Sequence, residues 1–151
     1  DSDIVFTVDD ACRLVERALE LDSIVGGIYV SRWDKSPSIT IRTKQREKLD
    51  IGSDQLVEVD AVSTGFMAVP RTTLNKLVDA GLAEYLELNK YHRWFEVTTT
   101  KDDQSKTFLL SEDWALCYKA AALGYKIYVD CKPELGHVGQ KIYTIRDLVT
   151  K

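Results

Sequence analysis

Apolar positions change their spacing several times along the chain, and each change marks an expected element. From Asp9 to Leu21 the apolar residues Ala11, Leu14, Val15 and Ala18 recur at helical intervals, which predicts an amphipathic helix. Asp9 or Asp10 supplies a carboxylate to cap it. The next stretch, SIVGGIYVSR, is a continuous apolar run and predicts a buried strand. Gly26 and Gly27 mark a close backbone approach or a bulge within it. WDKSPS then reads as a turn. Residues 39 to 62 are more polar, with ITIRT and LVEVDAV as strands around a charged loop. STGFMAV predicts a further strand. Pro70 and Thr72 open a helix that stops near Gly81.

In the last third, RWFEVTTT predicts a strand and KDDQSK a polar loop. SEDWALCYKAAALGY has a serine at its start, acids in its first turn and a glycine at its end, so a helix is expected over residues 112 to 123. YKIYVD is a short alternating strand, and CKPELGHVG an irregular segment carrying one histidine. Strands alternating with helices make the fold class α/β.

Composition adds limits. With 151 residues the chain has the size of one domain with a single core. The net charge is −4, with no basic run and no arginine cluster, so nucleic acid is not an expected partner. The apolar stretches fall well short of the roughly 20 residues that span a bilayer. No signal peptide and no initiating methionine are present. Cys12, Cys117 and Cys131 are scattered, with no CxxC pair, so neither a zinc site nor a disulfide framework is indicated. Cys12 and Cys117 fall in helical patterns and are expected in the core. A reducing, cytoplasmic compartment fits.

Three stations carry chemistry: Asp1 with Asp3, Glu112 with Asp113, and His137. Each also has a plain structural reading. The two aspartates can be solvated, the acid pair can complement a helix dipole, and the histidine can be a hydrogen-bonded loop residue. Trp33, Trp94 and Trp114 can be core, or Trp114 can stack on a sugar. The loop from Lys101 to Lys106 precedes the acid pair, and it either orders over substrate or is ordinary surface.

Order and context join the stations. The D-x-D of Asp1 and Asp3, then STGFMAVPR, then LLSEDWALCYKAAALGYKIYVD, then ELGHVG, resembles the GT-A fold nucleotide-sugar glycosyltransferases, closest to glycosyltransferase family 2. The resemblance runs from Asp1 to about Gly139, and the SED-to-LGHVG block is its most specific part. It implies a GT-A-like (Rossmann-like) mixed sheet flanked by helices. The N-terminal strands that hold the nucleotide base are missing, so residues 1–151 correspond to the C-terminal part of a catalytic domain. One sheet edge is then expected to be open, for an upstream half or a second copy of the chain to cover.

The resemblance further implies inverting, metal-dependent transfer of a sugar from a nucleotide-diphosphate sugar to the hydroxyl of a carbohydrate or other acceptor. A divalent cation offsets the charge of the departing diphosphate. Magnesium and manganese suit carboxylate and phosphate oxygens, and one imidazole shifts the preference toward Mn2+ over Mg2+. By resemblance Asp3 contacts the metal, Asp1 assists through the metal or the donor ribose, and His137 reaches back to the metal. Asp113 matches the carboxylate that accepts the acceptor's proton. Glu112 is its neighbour, and adjacent helical residues point about 100° apart, so the two cannot face one acceptor together. Gly65 lets backbone approach the donor sugar. Two other readings remain open: a truncated, inactive binding domain with this core, and a sugar-phosphate nucleotidyltransferase, which shares the architecture and the metal chemistry.

Overall fold

The structure is a computed structural model that describes residues 1–32, 38–43, 49–102, 104–139 and 141–148. The chain enters through a short strand, β1 (Ile4–Val5), and turns at once into α1 (Val8–Leu21). Thr7 caps this helix. Its hydroxyl accepts from the Asp10 N–H, and the Asp10 carboxylate accepts from the Thr7 N–H, a complete capping box. The cap is therefore Thr7 and not Asp9 or Asp10. A hydroxyl one turn earlier engages the free N–H groups first, and Asp10 serves as the reciprocal partner. Leu14 and Ala18 are buried, whereas Val15 and Cys12 are exposed, so Cys12 is not the core residue its helical position suggested.

β2 (Ile24–Gly27) follows, and every residue from Ser23 to Val30 is buried. Its glycines mark close approach, not a bulge, since the pairing with its neighbour is unbroken. A Cβ on Gly26 would stand 2.6 Å from the Val62 Cβ. Beyond β2 come β3 (Ile41–Arg42), β4 (Leu56–Val59) and β5 (Ala61–Val62). The expected strand STGFMAV is split into a 3-10 turn at Thr64–Phe66 and a two-residue strand, β6 (Met67–Ala68). The turn forms because the Gly65 N–H donates to the Tyr29 hydroxyl and its carbonyl accepts from the Asp1 nitrogen, so neither group is left for a ladder. α2 (Arg71–Asp79) ends as expected before Gly81, which has φ +70°.

RWFEVTTT is also split, into the end of a hairpin strand and the start of another. The hairpin pairs β7 (Glu84–Leu86) with β8 (Tyr91–Arg93), and β9 (Thr98–Lys101) pairs with β10 (Thr107–Leu110). Between them the Trp94 indole N–H donates to the Leu74 carbonyl and ties the segment to α2. α3 (Glu112–Ala122) begins directly after β10, with Ser111 as its N-cap and Gly124, at φ +88°, beyond its end. Then come β11 (Ile127–Asp130), β12 (Gly136–Val138) and β13 (Ile142–Tyr143). The segment CKPELGHVG is thus not wholly irregular, because its end pairs with β1. Trp33 lies outside the described residues.

The main sheet has the order β4-β11-β2-β6, with β11 parallel to β2 and the outer pairings antiparallel. β11 is central and mostly buried on both faces, which replaces the half-exposed alternation expected of it. Its neighbours divide by face. Ile24, Val57, Val59, Ile127 and Val129 pack with Leu77, Leu116 and Ala120 of α2 and α3. Val25, Leu56 and Tyr128 face the α1 side, with Leu14, Ala18 and Phe66. The result is mixed α/β, a sheet between α1 and the α2–α3 pair, with smaller sheets around it. A bidentate ion pair pins α1 to the sheet: Arg13 Nε donates to Asp130 at 2.7 Å and Nη2 at 3.2 Å, and Asp130 is fully buried. The β6 edge runs beside an apolar stripe of Phe6, Val15 and Leu19, all exposed. No helix among the described residues is long and apolar enough to cross a membrane.

Candidate functional site

The pairing of β1 with β12 sets Ile4 opposite His137, and the Val138 N–H donates to the Asp3 carbonyl at 2.8 Å. That register brings the Asp3 and His137 side chains together. His137 Nε2 stands 3.6 Å from Asp3 Oδ2, both side chains being partly buried. The other ring nitrogen, Nδ1, lies 2.8 Å from the Val30 carbonyl. A carbonyl only accepts, so Nδ1 carries a hydrogen, and Nε2 is the ring atom that faces Asp3. Two ligand atoms each about 2.1 Å from one cation lie about 3.0–3.6 Å apart, so the pair has the separation of two neighbouring ligands.

Asp1 does not join them. Its nitrogen donates to Gly65 O at 2.8 Å, and it borders a cavity of about 480 Å3 between α1 and residues 64–70. Among the described residues no three His, Cys, Asp or Glu side chains converge on one point. Asp3 and His137 could therefore supply at most two protein ligands to a cation among the described residues. A positive side chain that the sequence reading passed over completes the cluster. Arg32 Nη1 makes an ion pair of 2.9 Å with the same Asp3 oxygen. Arg32 ends the run SIVGGIYVSR, and a lone arginine closing a buried strand was the signal available.

The acid pair sits at the N-terminus of α3. Asp113 is buried, and its Oδ1 accepts from the Ser111 hydroxyl and, at 2.8 Å, from the Trp114 N–H. No hydrogen bond among the described residues reaches its other oxygen. Glu112 is exposed and points elsewhere. Together with Ser111 it borders a cavity of about 560 Å3, whose walls also include Thr40, Ser63 and Trp114. Asp113 is not among those walls. The polar loop before the helix is the turn of the β9–β10 hairpin, where Asp102 Oδ1 accepts from the Gln104 and Lys106 N–H groups.

Tyr29 joins the two stations. It is buried, and its ring stands edge-on to His137 at 5.4 Å between centroids. Its hydroxyl accepts from the Gly65 N–H at 3.0 Å. Burial pushes this hydroxyl above its ordinary pKa, hydrogen bonding with Gly65, Thr40 and Ser63 opposes the rise, and the Asp113 charge adds to it. The same charge adds to the effect of burial on Cys117, whose thiol is pushed up to about 12. Gly65 is close-packed for the same reason. A Cβ there would stand 2.4 Å from the Tyr29 hydroxyl oxygen. One tyrosine thus touches the imidazole on one side and lies within the field of the α3 carboxylate on the other. No family model, curated protein or solved structure matches this chain.

Proposed function

We propose that the chain is the metal- and acceptor-binding part of an inverting glycosyltransferase that uses a nucleotide-diphosphate sugar. The observation that carries this reading is the meeting of Asp3 with His137, separated by almost the whole chain yet 3.6 Å apart. A divalent cation bound there, Mn2+ by preference, would stabilise the charge of the diphosphate as it leaves. Asp3 and His137 would hold it, and Arg32 lies within reach of a phosphate oxygen. Asp1 and the Gly65 backbone border the donor side of the same face.

On the acceptor side, Asp113 is the base. Ser111 and Trp114 fix one of its oxygens, which leaves the other to receive the acceptor's proton as the hydroxyl attacks. Glu112, on the cavity wall, would hydrogen-bond a part of the acceptor away from the reacting hydroxyl, since it and Asp113 do not face one point. A single base with attack from the side opposite the leaving group inverts the anomeric centre. The three cysteines are unpaired, which suits a reducing, cytoplasmic setting. The apolar stripe beside β6 suits cover by further strands of the same domain or by a second copy.

The test is a nucleotide-sugar screen with Mn2+ and three variants. Asp3→Ala should abolish metal dependence and turnover together. Asp113→Asn should lower transfer by about two to four orders of magnitude while Mn2+ binding persists. Glu112→Gln should raise KM for the acceptor more than it lowers kcat. Parent-rate transfer by Asp113→Asn would sink its role as base. Parent-level Mn2+ binding by Asp3→Ala would sink the metal site.

A further inference from the structure

The β9–β10 hairpin has two unlike faces. Leu109 pairs with Thr99 and Leu110 with Thr98, so Phe108 and Leu110 share one side and Leu109 the other. The Phe108 side is packed. The Arg42 guanidinium stacks on the Phe108 ring at 4.3 Å and reaches Trp114 at 5.4 Å and Tyr118 at 5.8 Å, which clamps the hairpin to α3. On the opposite side Leu109 is 69% exposed and Val97 59%.

Scattered exposed apolar residues need no explanation. These two are not scattered. Both border the 560 Å3 cavity that holds Glu112 and Ser111, together with Ile39 and Ile41. The cavity is therefore divided. A polar part is formed by Thr40, Ser63, Ser111 and Glu112, and an apolar part by the hairpin and β3. Because β10 runs into α3 without an intervening loop, the apolar wall stands at a fixed position relative to Glu112.

We infer that the acceptor is amphipathic: a polar portion held by Glu112 and Ser111 on the cavity wall, borne on an alkyl or aryl portion that lies along Leu109 and Val97. The inference rests on the glycosyltransferase reading and names the acceptor class for it. The diphosphate of the donor cannot occupy this wall, since burying a phosphate against leucine and valine has a large desolvation cost. A purely carbohydrate acceptor would leave sugar hydroxyls without partners there, while the apolar side chains stayed wet. An alkyl chain dries both surfaces.

The probes are n-octyl β-glucoside, below its critical micelle concentration, and methyl β-glucoside, titrated against the full chain by calorimetry. The octyl compound should bind at least about tenfold more tightly, the gain from burying one or two methylenes. Leu109→Asp and Val97→Asp, both at exposed positions, should erase that difference. Leu88→Asp should preserve it, since Leu88 is 99% exposed on the other hairpin and does not border the cavity. Equal binding of the two probes overturns the inference, as does equal loss in Leu88→Asp and Leu109→Asp. Turnover with Mn2+ and a nucleotide sugar separates the two levels. Equal transfer to both glucosides keeps the glycosyltransferase reading and rejects the apolar subsite. The expected binding pattern with no transfer from any donor rejects the glycosyltransferase and leaves an amphiphile-binding cavity.

Discussion

The Arg13–Asp130 pair should be asymmetric in what its loss costs. Asp130 is fully buried and accepts two N–H groups from Arg13 and one from the Lys132 backbone at 3.0 Å. Arg13 is partly exposed and has a second partner, Asp54, at 3.1 Å. Removing one member of a buried pair costs about 3–5 kcal/mol, mainly because a charge is left without compensation. In Arg13→Ala the stranded charge is a carboxylate with no solvent and one backbone donor, so the loss should reach about 4–5 kcal/mol. In Asp130→Ala the guanidinium turns to Asp54 and water. Its loss is then limited to the hydrogen bonds, about 2–3 kcal/mol. Replacing both, as Arg13→Met with Asp130→Leu, should recover most of the deficit, because no buried charge remains. Equilibrium urea unfolding with an unchanged m-value measures all three. The reasoning is refuted if Asp130→Ala costs as much as Arg13→Ala, or if the double variant is less stable than either single one.

Two further outcomes follow from the site. Gly65→Ala places a methyl group inside the Tyr29 hydroxyl's space, 2.4 Å from its oxygen, and should cost about 1–3 kcal/mol with a shifted Tyr29 signal in ultraviolet difference spectra. Arg32→Ala frees the Asp3 oxygen that Arg32 holds at 2.9 Å; Mn2+ should then bind severalfold more tightly without nucleotide, while nucleoside diphosphate binds more weakly, both read by electron paramagnetic resonance titration. An unchanged Mn2+ affinity would mean that Arg32 does not compete for Asp3.

The helices were legible because their signals are local. Gly81 and Gly124 end α2 and α3 where a left-handed residue is needed; Ser111 holds the N-cap position of α3, but its hydroxyl donates to Asp113 and does not cap the helix. Thr7 and Asp10 have the spacing of a capping box, yet two neighbouring aspartates hid it. Most strands outside the main sheet are two or three residues long, too short for an alternation to register, and β1 pairs with a strand near the other end of the chain. Cys12 shows the limit of residue type as a guide: it lies on α1 but off the Leu14–Ala18 face. The approach of His137 to Asp3 could not come from periodicity at all, because it depends on the pairing of β1 with β12. A family likeness suggested it. The role of Glu112 as a wall of the cavity, with Asp113 turned inward, depends on two hydrogen bonds to one oxygen that no pattern encodes.

The placement of the three thiols gives the molecule a built-in clock. Cys12 meets solvent, whereas Cys117 and Cys131 are shut inside, with burial raising the pKa of both. A thiol reagent therefore counts one fast equivalent on the native chain and two more only as the sheet opens. Cys117 sits on the buried face of α3 and Cys131 just past the end of β11, so the delays of the second and third equivalents time the opening of α3 and of the central strand separately.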